Sequence, residues 1–544
     1  MRSQVRAGVL AAAALLLVVS EAGAQRFTGS AEMGADAYHV SGRPARRPGL
    51  SGHVTVSPTL DLWGLQLGLL LTYDSEERYS ARSLNRYGLN PRWSWGELYL
   101  GDHAPDLGAT VLQGVSVRGG GIDVHPGAFR ARQHIGRADD AVFTDPLGFG
   151  TIDDRQFNTA QQFGLSRMVY ALGVGWGRGD NRLSVVALYA ADETDVPDTA
   201  VVAPQENVTI GLEGGLRLPW GWLASASVSG SLQTLDTRVE AVDYELEQEL
   251  GLAGKLLDSF VEIRPTTRGD VTYRAEAQGP VPWGTLSLKV EEIGPGYSTL
   301  GVPSLPNNWR QIEGTTAFAL LDGRLSAVLS GGWRKDGLVD PGTGATHRWT
   351  GMVAGNYEAS RTLRFNASAM LNRLERRAAV DTFALVNVAE SYSFSPSWTP
   401  GGPDSPHSLS LNAALQRSET EAGILAPFGS HSFTAGLGYQ YRASQALSLG
   451  LTPSLVSAEQ EGRSENLFTL NGTANYRPRG APYSLNLSSG VGQSLVGWQV
   501  QAVGSARYQI PRVGTASARL RATGFFGDLD YREFALSLGL ARSF

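Results

Sequence analysis

The feature that most constrains this chain is a two-residue period sustained over unusually long segments. From Val496 to Tyr508, Val496, Trp498, Val500, Ala502, Gly504, Ala506 and Tyr508 fall on one face of an extended segment, and Gly497, Gln499, Gln501, Val503, Ser505, Arg507 and Gln509 on the other. Successive strand side chains point to opposite faces, so the segment has one apolar and one polar surface. About a dozen residues match a tilted strand crossing a bilayer and are about twice the usual soluble strand. Trp498 and Tyr508 stand near the ends of the apolar row, where interfacial aromatics belong.

The pattern recurs. Leu363, Phe365, Ala367, Ala369 and Leu371 alternate with Arg364, Asn366, Ser368, Met370 and Asn372, and similar rows run through 286–291, 408–416 and 516–523. Short turns at Pro219-Trp220-Gly221, Leu321-Asp322-Gly323, Ala359-Ser360-Arg361 and Ala443-Ser444-Gln445 alternate with long polar connections near 192–206, 234–266, 293–308, 335–345, 375–385 and 419–429. Short turns at one end and longer loops at the other predict an all-β, transmembrane antiparallel β-barrel. Counting back from the C-terminus places 20 strands between Phe129 and Phe544 and four more between Ser51 and Val124. The expectation is about 24 strands, within a range of 22–26. That count puts a long 74–92 connection on the short-turn side, and leaves 25–50 as a possible further strand or a periplasmic extension.

Composition closes off the alternatives. The 544 residues contain 66 glycines and no cysteine, which excludes a disulfide framework and thiolate metal sites. With 46 Lys+Arg against 52 Asp+Glu, the net charge of −6 offers no basic field for nucleic acid. Arg2 and Arg6 precede an apolar run from Ala7 to Val19 and the small residues Ala22-Gly23-Ala24. That is the order of a secretory signal. Residues 1–24 are therefore read as a signal peptide with cleavage near Ala24, and 51–544 as the barrel. The expected location is the outer membrane of a Gram-negative cell.

The last strand carries a resemblance. Phe534, Leu536, Leu538, Leu540, Arg542 and Phe544 share one face. An alternating final strand closing on a terminal Phe resembles bacterial outer-membrane β-barrel proteins inserted by the barrel-assembly machinery. The resemblance implies that Phe544, Leu540, Leu538 and Leu536 act as the assembly signal. Arg542 departs from the apolar residue usual at its place. The stretch from Leu100-Gly101-Asp102 to Gly114-Val115-Ser116-Val117-Arg118-Gly119, and Gly294-Pro295-Gly296-Tyr297-Ser298-Thr299-Leu300-Gly301, look like segments of large barrels such as the gliding-motility translocon SprA. The implied partners are outer-membrane lipid and lipopolysaccharide, the assembly machinery, and a periplasmic or plug subunit.

A barrel of this strand number encloses more space than its own side chains fill. Alternation begins by about Ser51, which leaves no room for a preceding plug domain, so restriction is expected from infolded loops or a partner. The best candidate is 234–266. There Asp236, Glu240, Asp243, Glu245, Glu247, Glu249, Asp258 and Glu262 face only Arg238, Lys255 and Arg264, and Leu246, Leu250, Ala253, Leu257 and Phe260 recur at helical spacing. A short acidic amphipathic helix at the pore mouth would favour cations; a solvated outer loop is the alternative. Arg274, Glu276, Lys289, Glu291, Arg364, Arg507, Arg519 and Arg521 lie on polar strand faces. They are candidate lumen charges, either orienting solutes or salt-bridging the wall.

No chemistry is expected. None of the eight histidines stands at i, i+4 from another, and no G-x-S-x-G elbow or P-loop occurs. Asp102-His103 with Asp106 reads as a turn, and Gly119-Gly120-Gly121 as a bulge or bend in a strand. No cofactor is implied. The functional expectation is a channel or transporter for solutes or exported polymer; the rival is a structural or interaction barrel without free conductance.

Overall fold

The computed structural model describes residues 26–45, 47–75, 85–139, 165–193, 203–244, 260–339, 344–377, 384–402, 404–423, 425–460, 463–494, 496–527 and 530–544. The signal segment, with Glu245, Glu247, Glu249, Asp258 and most of the anticipated helix, lies outside them. One antiparallel sheet accounts for the fold. It begins with β1 (Phe27–Ser41), β2 (Leu50–Leu62), β3 (Leu65–Asp74), β4 (Arg86–Trp93), β5 (Gly96–His103), β6 (Val117–Val124), β7 (Phe129–Asp139), β8 (Arg167–Arg178) and β9 (Asn181–Asp192). It continues through β10 (Glu206–Arg217), β11 (Leu223–Thr234), β12 (Thr267–Val281), β13 (Gly284–Ile293), β14 (Trp309–Leu320), β15 (Leu325–Asp336), β16 (Ala345–Glu358), β17 (Leu363–Arg377) and β18 (Leu385–Trp398). The last eight are β19 (His407–Ala422), β20 (Leu425–Arg442), β21 (Leu447–Gln460), β22 (Arg463–Tyr476), β23 (Tyr483–Ser494), β24 (Gly497–Ile510), β25 (Gly514–Gly527) and β26 (Tyr531–Ser543).

Each strand pairs with its sequence neighbours, and β1 pairs with β26, so the sheet is a closed barrel of 26 strands. Closure satisfies every edge. An even number is required for the first and last strands to meet antiparallel. The seam runs from Ser30 opposite Ser543 to Ser41 opposite Arg532. At its foot Phe544 and Gly29 exchange two backbone hydrogen bonds, of 2.9 and 3.1 Å, and the rings of Phe27 and Phe544 stack at 4.7 Å.

The count exceeds the expected 24 by two, and both extra strands lie in the N-terminal quarter. Phe27–Ser41 is β1, and the stretch 86–103 folds into two eight-residue strands, β4 and β5, around a Ser94-Trp95 turn. Insertion of that hairpin moves the β3–β4 connection, 75–85, to the long-loop end, correcting the 74–92 assignment to the short-turn side. A second correction concerns 419–429. β19 ends at Ala422 and β20 begins at Leu425, so no long loop exists there. Glu419 and Glu421 made the stretch read as loop, yet here the strands simply rise beyond the apolar zone.

Parity sorts the two surfaces. In β24, Trp498, Val500 and Tyr508 are exposed on the outer face, as are Leu485 and Leu487 of β23 and Phe534, Leu536 and Leu538 of β26. Outward aromatics gather in two belts: Trp176, Trp398, Tyr476 and Tyr508 near the short turns, and Tyr170, Trp349, Phe468 and Trp498 towards the long loops. The span from Trp498 to Tyr508 is about 25 Å along the axis, at ~3.3 Å per residue and ~40° tilt. Above the upper belt the outer face carries ion pairs, Arg417 with Glu419 and Arg310 with Glu292. Closing 26 strands ~4.8 Å apart at ~40° tilt gives a backbone cylinder on the order of 50 Å across.

Candidate functional site: an inner ledge and an open polar wall

The barrel interior has two unlike halves. One is covered. After β5 the chain turns inward through 104–116, where Gly108 (φ 105°) and Gly114 (φ 76°) take backbone angles suited to glycine. Leu107 donates its N–H to the carbonyl of Leu112 at 2.9 Å, closing a compact turn. Leu107, Val111 and Leu112 are fully buried against Val169 and Ala171 of β8 and Val186, Leu188 and Ala190 of β9. These wall residues have the parity opposite to the exposed Tyr170, Leu172 and Val185, so the cluster lies inside the barrel.

The β13–β14 connection, 294–308, joins it there. Tyr297 donates its hydroxyl to the Thr110 carbonyl at 2.6 Å, Thr299 its hydroxyl to the Val111 carbonyl at 3.2 Å, and Gln113 its N–H to the Gly301 carbonyl at 3.1 Å. Burial pushes the Tyr297 hydroxyl's pKa up, above the usual tyrosine range. Wall side chains anchor both segments. Asn207 accepts from the Leu300 N–H at 3.1 Å and donates to Ser231 Oγ and the Leu232 carbonyl, both at 2.8 Å, and the hydroxyls of Thr110 and Ser229 meet at 3.0 Å. Buried polar atoms are thus satisfied and the two loops form one fixed ledge. Sequence reasoning placed the restriction elsewhere. The overlooked signal was apolar side chains (Leu107, Val111, Leu112, Leu300) concentrated in connections that otherwise read as polar or glycine-rich turns.

The other half is bare. From Leu325 to Gly527 the described residues include no buried apolar side chain, and only Thr420 and Thr523 are buried among the polar ones. No core backs this wall. Its inward residues are mostly serine, threonine, asparagine and glutamine, bonded to each other across strands, as in Asn356 to Asn366 at 2.5 Å and Ser368 with Ser393 at 2.6 Å.

The candidate charges distribute over both halves, all with inward parity. Arg274 bonds Glu276 at 3.0 Å, Lys289 bonds Glu291 at 2.5 Å, and Arg364 bonds Glu358 at 2.9 Å. Arg507, Arg519 and Arg521 have no carboxylate within ion-pair distance among the described residues. Of the acidic segment, the described flanks continue the β11–β12 ladder: Leu235 donates its N–H to Thr266 and Val242 to Ile263. The Arg238 side chain, bonded to Asp236, holds that carboxyl below its usual range. Glu262 pairs with Arg264. Glu240 and Asp243 make no ion pair among the described residues. Phe260 lies 6.4 Å from the outward ring of Tyr189. These flanks therefore stand at the outer side of the wall.

The sequence neighbours Asp102 and His103 face opposite ways. Asp102 bonds Arg118 at 2.9 Å on the outer face, and His103 lies 3.2 Å from His134 inside. No group of three metal-ligating side chains occurs among the described residues. Leu536, Leu538, Leu540 and Phe544 occupy the outward row of β26 and its end, with Arg542 opposite Ala31.

No family model matches the chain, and no curated protein does. Among solved structures it is similar to the ferric preacinetobactin receptor BauA of Acinetobacter baumannii (9 % identity, 95 % of this chain and 81 % of that one, TM-score 0.39). It is also similar to the siderophore receptor PirA of Pseudomonas aeruginosa (9 %, 96 % and 81 %, TM-score 0.38) and to a bacterial polysaccharide outer membrane secretin (14 %, 51 % and 91 %, TM-score 0.28). Likeness at this level does not establish a shared topology. The barrel rests on its own strand pairing.

Proposed function

We propose that the protein is an outer-membrane β-barrel that provides a water-filled, non-catalytic passage for solutes or exported polymer, narrowed on one side by the fixed ledge. The single observation that carries this reading is the wall from β15 to β25, apolar outside and polar inside with no core behind it. A hydrocarbon layer about 25 Å thick suits the outer belt, and water suits the inner face. The ion pairs above the upper belt suit a polar headgroup zone. Purified protein reconstituted into planar bilayers is expected to conduct in large, voltage-independent steps. Silence after insertion verified by heat-modifiable migration would overturn it.

A second reading has its own support. A lumen inside a backbone cylinder on the order of 50 Å across, ledged on one side only, has room for a folded subunit. In that case the barrel is a shell, and co-purification of a periplasmic chain would coincide with silent bilayers.

A further inference from the structure

Charge is segregated along the axis in the last third of the barrel. From His407 onward the described acidic residues are Glu419, Glu421, Glu459, Glu465, Asp530 and Glu533, all within a few residues of a long-loop-end connection. The half nearer the short turns holds only arginines: Arg442 ends β20, Arg477 and Arg479 lie in the β22–β23 turn, and Arg512 in the β24–β25 turn. Above Arg512, on the inner face, rise Arg507, Arg519 and Arg521.

The register fixes their spacing. Ile510 faces Gly514 at the turn, Arg507 faces Ser517, Arg519 faces Ser505 and Arg521 faces Val503. The three arginines therefore climb from near the turn to mid-height, rooted about 7 Å apart across and along the two strands. The inward arginines Arg274, Arg334 and Arg364 are bonded to carboxylates. The nearest inward carboxylate is Glu533 of the adjacent β26, opposite Thr523 and already paired with Arg43; Glu32 and Asp36 of β1 lie one strand further, and Asp36 accepts from the Ser537 hydroxyl. Like charges side by side destabilise a sheet, so an uncompensated triad calls for an anion from outside the chain.

We propose that Arg507, Arg519 and Arg521 form an oxyanion-binding ladder on the lumen wall, taking carboxylate, phosphate or sulfate groups of solutes that enter from the short-turn end. This rests on reading the interior as wet. Guanidinium forks bind such groups bidentately, and the flanking hydroxyls of Ser505 and Ser517 add donors. Screening limits the ladder's reach to about 10 Å at 0.1 M salt, a fraction of the lumen. It therefore acts by contact along the wall, and steers bulk ions only at low ionic strength.

Two measurements on the full-length protein test it. In bilayers with a KCl gradient near 10 mM, where screening extends to about 30 Å, the wild type is expected to prefer chloride over potassium by more than about twofold. The triple variant Arg507→Gln, Arg519→Gln, Arg521→Gln is expected to approach a ratio of about one, whereas Arg417→Gln on the outer face keeps the preference. In detergent, inositol hexakisphosphate is expected to bind the wild type at least about tenfold more tightly than the triple variant, with Arg→Lys at all three sites retaining part of the affinity. An unselective channel, or binding unchanged in the triple variant, overturns the ladder while leaving the passage standing. Silent bilayers with binding lost only in the triple variant overturn the passage and keep the ladder. If the triple variant fails to show heat-modifiable migration, Arg519→Gln alone carries the same comparisons.

Discussion

The Tyr297 hydroxyl donates to the Thr110 carbonyl at 2.6 Å, tying together two loops 187 residues apart within the barrel. Both partners are buried, so removing the hydroxyl leaves a carbonyl short of its donor. Tyr297→Phe is expected to cost about 1–3 kcal/mol of local stability, without unfolding the barrel. Limited proteolysis within 104–116 should become faster in this variant while heat-modifiable migration stays as in the wild type.

The same residue has a pH signature. Tyr297's folded-state pKa is raised by burial. A raised value means that the folded state holds the phenolic proton more tightly than the unfolded chain does. The resulting stabilisation is fully present below the ordinary tyrosine pKa of about 10 and is lost as pH rises through the folded value. The ultraviolet difference between wild type and Tyr297→Phe should show no phenolate near pH 10. Ionisation there, as for a free tyrosine, would mean that the ledge is open to water.

Gly301 sits where the ledge meets the wall. A Cβ on it would come 2.1 Å from the Val111 carbonyl oxygen and 2.5 Å from a Leu188 methyl. Backbone on one side and packed side chain on the other leave nowhere to yield. Gly301→Ala is expected to prise the ledge away at about 1–3 kcal/mol. Gly504, with nothing within 4 Å of its would-be Cβ, is the control, and Gly504→Ala should shift the urea midpoint little.

How much of this was legible follows from where side chains report. β7 to β26 occupy the stretch from Phe129 to Phe544 in which the alternation counts twenty strands, because Leu, Phe and Trp at every second position mark an outer face. β4 and β5 hid from it. Each has only eight residues, Pro91 interrupts one, and Trp93, Trp95 and Gly96 blur the turn between them. The tops of β19 and β20 read as loop because Arg417, Glu419 and Glu421 put charge on the outward face, where apolar side chains mark the period lower down. The ledge was illegible for another reason. Leu107 and Leu300 look like stray apolar residues in loops, and only closure of the barrel brings 104–116 and 294–308 against each other.

The seam offers a test that separates stability from assembly. Phe27 and Phe544 stack with their planes 11° apart, and two backbone hydrogen bonds lie beside them. Loss of either ring should weaken the seam by about 1 kcal/mol beyond the lost burial. Phe27→Ala is expected to lower the temperature of heat modification without reducing the amount inserted. Phe544→Ala should lower both, since the resemblance assigns the terminal ring to recognition by the assembly machinery. Equal insertion of the two variants would remove that assignment.

Adjacent residues on one strand test the two surfaces against each other. Leu487 is 55 % exposed on the outer face of β23, whereas Ser488 points inward across from Thr473 and Val503. Leu487→Arg would place a guanidinium in the apolar belt, at an expected cost of about 2–4 kcal/mol near its middle. Ser488→Arg would place the same group in a wet lumen, at a cost near zero. Denaturant unfolding from lipid vesicles measures both. The contrast should survive repetition at Leu415 and Gln416 of β19, because a period of two allows no other assignment. Equal costs at the two positions would mean that water, or protein, covers both sides of the wall.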